Sequence, residues 1–169
     1  FINPLNAGAQ NPDFVREPDW DELKRIHEIA PVSILSIAPD VKGAVDCIKS
    51  ASDAGILCSA AHSSATHAEM MLAKEAGLSQ LTHFGNAMSG LHHREIGMIG
   101  SGLLDDEFKV ELICDGIHLC PDFVKLVFEI KSTDQIMLIT DSMSGSWIES
   151  GEVQLGGLDV VVNQGEARL

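Results

Sequence analysis

At 169 residues, 45% of them hydrophobic, the chain can bury one globular core, and its formal charge of −14 excludes a surface built to grip nucleic acid or an anionic membrane. No apolar run approaches the ~20 residues that span a bilayer, and the amino end lacks a basic-then-apolar leader. The four cysteines, Cys47, Cys58, Cys114 and Cys120, show no CxxC spacing and read as reduced thiols, so a cytoplasmic protein is expected.

Along the chain, short apolar runs alternate with longer amphipathic stretches. The spacing predicts a helix over 19–30, a strand over 33–38, and a helix over 41–54 with Asp40 as its cap. A strand over 56–61 follows, then a helix over 65–76 in which Thr66 and Glu69 have capping-box spacing. Gly55 and Gly77 come after two of these helices, where a left-handed cap suits glycine. Three more strands, over 80–82, 110–115 and 136–140, and a helix over 121–131 complete the series. The strands are apolar nearly throughout, as expected for parallel strands covered on both faces. Strict alternation implies a parallel α/β sheet, either doubly wound or closed as a barrel, and pattern alone leaves both open. From Gly145 to the end, glycines and short alternating runs replace helix-length periodicity, predicting a β hairpin in another layer.

The polar residues fall at the carboxyl ends of the predicted strands. His62 follows the second, His83 the third, Asp115 and His118 the fourth, and Asp141 the fifth. In parallel α/β folds those ends meet on one face, where sites are built. Two imidazoles there suit a divalent metal, and a nearby carboxylate suits proton transfer. A metal needs a third protein ligand, for which the sequence offers no unambiguous candidate. On spacing alone a single histidine after a strand is more often a hydrogen-bonding group, and Asp115-Gly116 is an ordinary turn dipeptide. By the same standard Asn86 could simply fix a turn, and Arg94, beside His92 and His93, could belong to a solvated loop.

An ordered series of motifs goes further: Phe1-Ile-Asn-Pro4, Ala61-His-Ser63, Thr82-His-Phe-Gly-Asn-Ala-Met88, Arg94-Glu-Ile-Gly97, Asp115-Gly-Ile-His118, Thr140-Asp141 and Leu155-Gly-Gly157. In that order they resemble the N-acetylglucosamine-6-phosphate deacetylases of the amidohydrolase superfamily. The resemblance implies the later strands of a (β/α)8 TIM-like barrel over residues 1–144, running over 145–169 into a small β-sandwich domain. It implies one or two divalent ions, zinc or iron, held by His62 and His83, with Asp141 as the catalytic acid and base. Gln10, Asn86, Ala87, Asp115, Gly116, Ile117 and His118 would then contact a phosphorylated amino sugar, His118 at its phosphate. Arg94 is similar to the family residue that reaches a neighbour's phosphate across a homodimer.

Three departures accompany the match. The family's metal-binding glutamate lies in an EGP segment just ahead of the position of Phe1, Gln10 stands where a histidine is common, and Ile96 replaces a usual proline. Glutamine can donate a hydrogen bond but cannot become a cation. The chain begins at Phe1 rather than methionine and breaks off after a strand-like run, so it reads as a piece of a longer enzyme, inactive alone. Two other readings stand beside this one: another metal-dependent amidohydrolase, acting on a cyclic amide or a different acylated amine, or a non-catalytic sugar-phosphate binding module.

Overall fold

A computed structural model describes residues 1–169. The chain forms α1 (Trp20–Ile29), β1 (Ile34–Ile37), α2 (Ala44–Asp53), β2 (Leu57–Ala60), α3 (His67–Ala76), β3 (Leu78–Leu81), α4 (Gly97–Leu104), β4 (Lys109–Leu112), α5 (Pro121–Ile130) and β5 (Ile136–Leu138). Three further strands, β6 (Ser150–Leu155), β7 (Leu158–Asn163) and β8 (Glu166–Arg168), make a separate antiparallel sheet. The first five strands are parallel and lie side by side in chain order.

One face of the five-stranded sheet carries the core. Leu35, Ile37, Cys58, Ala60, Leu81, Val110 and Leu112 lie on this face and pack in one core with Leu23, Ile48, Met70, Met98 and Val127, one from each helix. All five helices therefore cover the same side. The other face is polar, contrary to strands apolar on both sides. Thr82 Oγ1 meets Ser59 Oγ at 2.6 Å and Ser36 Oγ at 3.2 Å, and Gln80 Nε2 donates to Glu111 Oε1 at 2.5 Å. These five side chains partner one another, which removes most of the penalty of their partial burial.

Local chemistry explains most boundaries. Asp19 accepts the Glu22 N–H to start α1, and Thr66 with Glu69 forms the full capping box of α3. Gly77, at φ 115, closes α3 in the left-handed conformation. Asp40 does not cap α2, which begins three residues later than expected behind Gly43. Its carboxylate points elsewhere, to Asn3, Ser63 and Ser64.

Helix α4 was not expected, because Gly97, Gly100 and Gly102 give its sequence poor intrinsic helix propensity. Close packing explains the glycines. A Cβ on Gly102 would lie 2.6 Å from the Phe84 ring and 3.2 Å from Leu81, both fully buried. Gly102→Val is expected to cost ~1–3 kcal/mol by overpacking, read as a lower urea midpoint. An unchanged midpoint would show that α4 does not press on Phe84.

Candidate active site

Each of the three residues singled out for metal and proton chemistry lies just past the carboxyl end of a strand. His62 is two residues beyond β2, His83 two beyond β3 and Asp141 three beyond β5. All three line one cavity of about 360 Å³, together with Gln10 and Asn11. The cavity's far wall comes from the other sheet: Gly156, in the β6–β7 turn, accepts a hydrogen bond from Asn11 Nδ2 at 3.0 Å.

The backbone at these positions is unusual. Only six non-glycine residues have positive φ, and His62 (46°), His83 (35°) and Asp141 (49°) are three of them, with Ala87 (50°) a fourth. Each such residue costs of order 1–3 kcal/mol and persists where surrounding structure enforces it, a pattern that concentrates at functional sites. The enforcing contacts are visible. Ser63 N–H donates to the Ala87 carbonyl at 3.0 Å and Ser89 N–H to the Ser63 carbonyl at 3.1 Å, tying the β2 and β3 loops together. Gly8 lies so close to the His62 ring that a Cβ there would come within 3.3 Å of it.

The two imidazoles meet edge to face, with Nε2 atoms 3.1 Å apart. His62 Nδ1 lies 2.8 Å from the Asn6 carbonyl and so carries the proton, which leaves the Nε2 lone pair bare. His83 is 6% exposed, and its Nδ1 is buried without a hydrogen-bond partner. Burial first, and the neighbouring His62 second, hold the His83 pKa below the usual imidazole value, against opposing pulls from nearby backbone and Asp141. Two Nε2 atoms facing each other at this distance fit a shared cation, which would take the place of the proton between them. On a tetrahedral ion with Zn–N bonds of ~2.0–2.1 Å, two nitrogens sit about 3.3 Å apart. No third His, Cys, Asp or Glu joins them into a complete ligand set, so these residues supply part of a metal site.

Glu111 braces His83 from below, a contact with no signal in the sequence. Its Oε2 accepts the His83 N–H at 3.3 Å and its carbonyl the Phe84 N–H at 2.7 Å.

The remaining residues singled out from sequence lie outside the cavity lining. Asn86 folds back on the His83 turn, its backbone N–H and its side-chain Nδ2 both donating to the His83 carbonyl, at 3.0 and 3.1 Å. Arg94 sits in an exposed loop closed by paired His92 and Glu95 and makes no ion pair. Asp115 gathers its own loop: Oδ1 accepts the N–H groups of Ile117 and His118, both at 2.9 Å, and Oδ2 lies 2.7 Å from His118 Nδ1. Burial works to raise the Asp115 pKa, but these hydrogen bonds outweigh it and hold the carboxyl below its usual range. His118 therefore presents Nε2 outward, while Gly116, at φ 78, makes the turn between them.

No protein-family model matches the chain. It is 36% identical over its whole length to an N-acetylglucosamine-6-phosphate deacetylase of Lysinibacillus sphaericus, and 34% identical over 99% of its length to an N-acetylgalactosamine-6-phosphate deacetylase of Escherichia coli O157:H7. The structure superposes on a Thermotoga maritima N-acetylglucosamine-6-phosphate deacetylase with a TM-score of 0.93, at 40% identity over 99% of the chain. In each case the chain spans less than half of the relative: 44%, 45% and 46% of its length.

Proposed function

Because this chain is homologous from end to end to part of the N-acetylglucosamine-6-phosphate deacetylases, we propose that the protein carrying it hydrolyses the acetamide of N-acetylglucosamine 6-phosphate, releasing acetate and glucosamine 6-phosphate. The observation that carries this reading is the convergence of His62, His83 and Asp141, all in left-handed backbone, on one cavity.

His62 and His83 would hold the metal through Nε2, with the remaining ligand drawn from outside the chain's own set. Bound there, one or two divalent ions, zinc or iron, supply Lewis acidity that polarises the carbonyl and acidifies water. The protein's share is proton management. Asp141 takes a proton from the attacking water as the new C–O bond forms. It then returns that proton to the nitrogen as the C–N bond breaks, so the amine departs neutral rather than as an amide anion. Gln10, on the cavity wall, donates to the carbonyl oxygen.

The sugar phosphate falls to His118 Nε2, since Asp115 already occupies Nδ1 and the two loop N–H groups. Arg94, exposed and without an ion pair in its own chain, suits a phosphate on a second subunit, because its planar donor fork matches phosphate oxygens. Asn86, Ala87, Gly116 and Ile117 shape the two loops that face the sugar. In this reading residues 1–144 are a sector of a (β/α)8 barrel, supported by sequential parallel strands with every helix on one side. Residues 145–169 are the return into a β sandwich, and Gly145 packs against Val153 and Val162 at that boundary. Free thiols at all four cysteines fit a cytoplasmic enzyme. No helix is long and apolar enough to cross a membrane.

The galactosamine epimer is the second reading, favoured by the relative from E. coli O157:H7. Acetate release should be measured on both N-acetylhexosamine 6-phosphates and on unphosphorylated N-acetylglucosamine, using a polypeptide extended to the length of the relatives. Turnover is expected on a phosphorylated sugar only and should vanish with a chelator. Equal turnover of the unphosphorylated sugar, or full activity after chelation, would sink the proposal.

A further inference from the structure

The sequence places Asp40 as a helix cap, yet its carboxylate is turned away from α2 and spent on three other donors. Oδ2 accepts the Asn3 Nδ2–H at 2.6 Å and the Ser64 N–H at 3.0 Å, while Oδ1 accepts the Ser63 hydroxyl at 2.6 Å. These bonds have fixed polarity. Ser63 is fully buried and its oxygen already accepts the Ala65 N–H at 3.0 Å, so its one proton goes to Asp40. Asn3 Oδ1 accepts the Leu5 N–H at 2.9 Å, which commits its amide nitrogen to Asp40 as a donor.

The bonds close a ring around His62. Asn3 N–H donates to the His62 carbonyl at 3.0 Å, and Asn6 N–H to the Asn3 carbonyl at 2.9 Å. Ser64 Oγ donates to Asn6 Oδ1 at 2.6 Å, and the Asn6 carbonyl receives the His62 Nδ1–H. One carboxylate thus anchors the segment before His62 in space, the two residues after it in sequence, and, through Asn3 and Asn6, the carbonyl that chooses its tautomer. We propose that Asp40 is the positioning residue of His62, fixing its Nδ1–H tautomer and aiming the bare Nε2 at His83. The tautomer claim stands on hydrogen bonds alone; its value to catalysis rests on reading His62 as a metal ligand.

A carboxylate is required because every atom facing it is a donor. In Asp40→Asn one of the two oxygens becomes an NH2 group, which confronts either the Ser63 hydroxyl or the pair of N–H donors. Long-range 1H–15N NMR of the polypeptide extended to the length of the relatives, above the ordinary imidazole pKa of about 6.5, reads the tautomer directly. Wild type should show His62 as the Nδ1–H form, and Asp40→Asn a mixture of both forms in a chain that keeps its helical circular dichroism. If that variant does not fold, Ser63→Ala, which removes one donor and leaves the carboxylate, should show the same mixture more weakly.

Zn2+ titration followed on the His62 ring resonances is the second arm, with an expected 10–100-fold loss of affinity in Asp40→Asn, the usual effect of removing a partner that orients a ligand. A pure Nδ1–H tautomer and unchanged Zn2+ affinity in the variant, with only a lower Tm, would leave Asp40 a merely structural brace and overturn the proposal. A shifted tautomer with no Zn2+ response in either protein would uphold the positioning role and remove the metal reading instead.

Discussion

Asp141→Asn is expected to slow acetate release by about 10²–10⁴-fold, the usual contribution of a positioned general acid and base, with little change in substrate affinity. Asparagine is the informative replacement because the backbone at Asp141 is left-handed, φ 49°, a conformation that Asp and Asn both tolerate. The variant therefore keeps the loop and loses only the capacity to take up a proton. If Asp141 instead served substrate binding, KM would rise while kcat held. Single-turnover kinetics in the extended enzyme separates the two, and a variant with wild-type kcat would remove Asp141 from the chemistry.

His62→Asn and His83→Asn should each weaken metal binding by more than the 10–100-fold that follows loss of an outer hydrogen-bond partner, since a direct donor nitrogen disappears. Both positions are again left-handed, at 46° and 35°, so asparagine preserves the turn that each residue makes. Metal content after gel filtration is the measurement, alongside circular dichroism to show that the fold remains. Full metal loading in both variants would mean that the 3.1 Å approach of the two Nε2 atoms has another purpose, such as sharing one proton.

Much of the fold is legible in the sequence because parallel α/β units are local. The apolar run around Ile34–Ile37, the capping box at Thr66 and Glu69, and the glycine after α3 each act within a few residues. What escapes is set by contacts distant in sequence. Helix α4 exists because its glycines admit Phe84 and Ile96 at close range, which overrides poor propensity. The polar face of the sheet becomes intelligible only when Thr82 is seen between Ser36 and Ser59.

The site divides in the same way. Placement after strand ends brings His62, His83 and Asp141 to one cavity, because the sheet is parallel and its strands are in register. Asp40, Asn6 and Glu111 leave no such trace: one resembles a cap, one acts through its carbonyl, and one is a strand residue beneath a loop. Arg94 and His118 are exposed and away from the cavity lining, so only the motif resemblance connects them to the substrate.

The hydrogen bond from Asn11 to Gly156 joins residues 145 positions apart, and with it the cavity wall draws on segments distant in sequence. Neighbouring β–α pairs close early because their loops are short, whereas this contact must wait for nearly every residue between to find its place. A nascent chain that has assembled only its parallel strands owns two imidazoles but lacks the wall that Asn11 and Gly156 build beside them. Maturation of the chamber is thus expected late in folding, and agents that trap partly folded species should abolish it first.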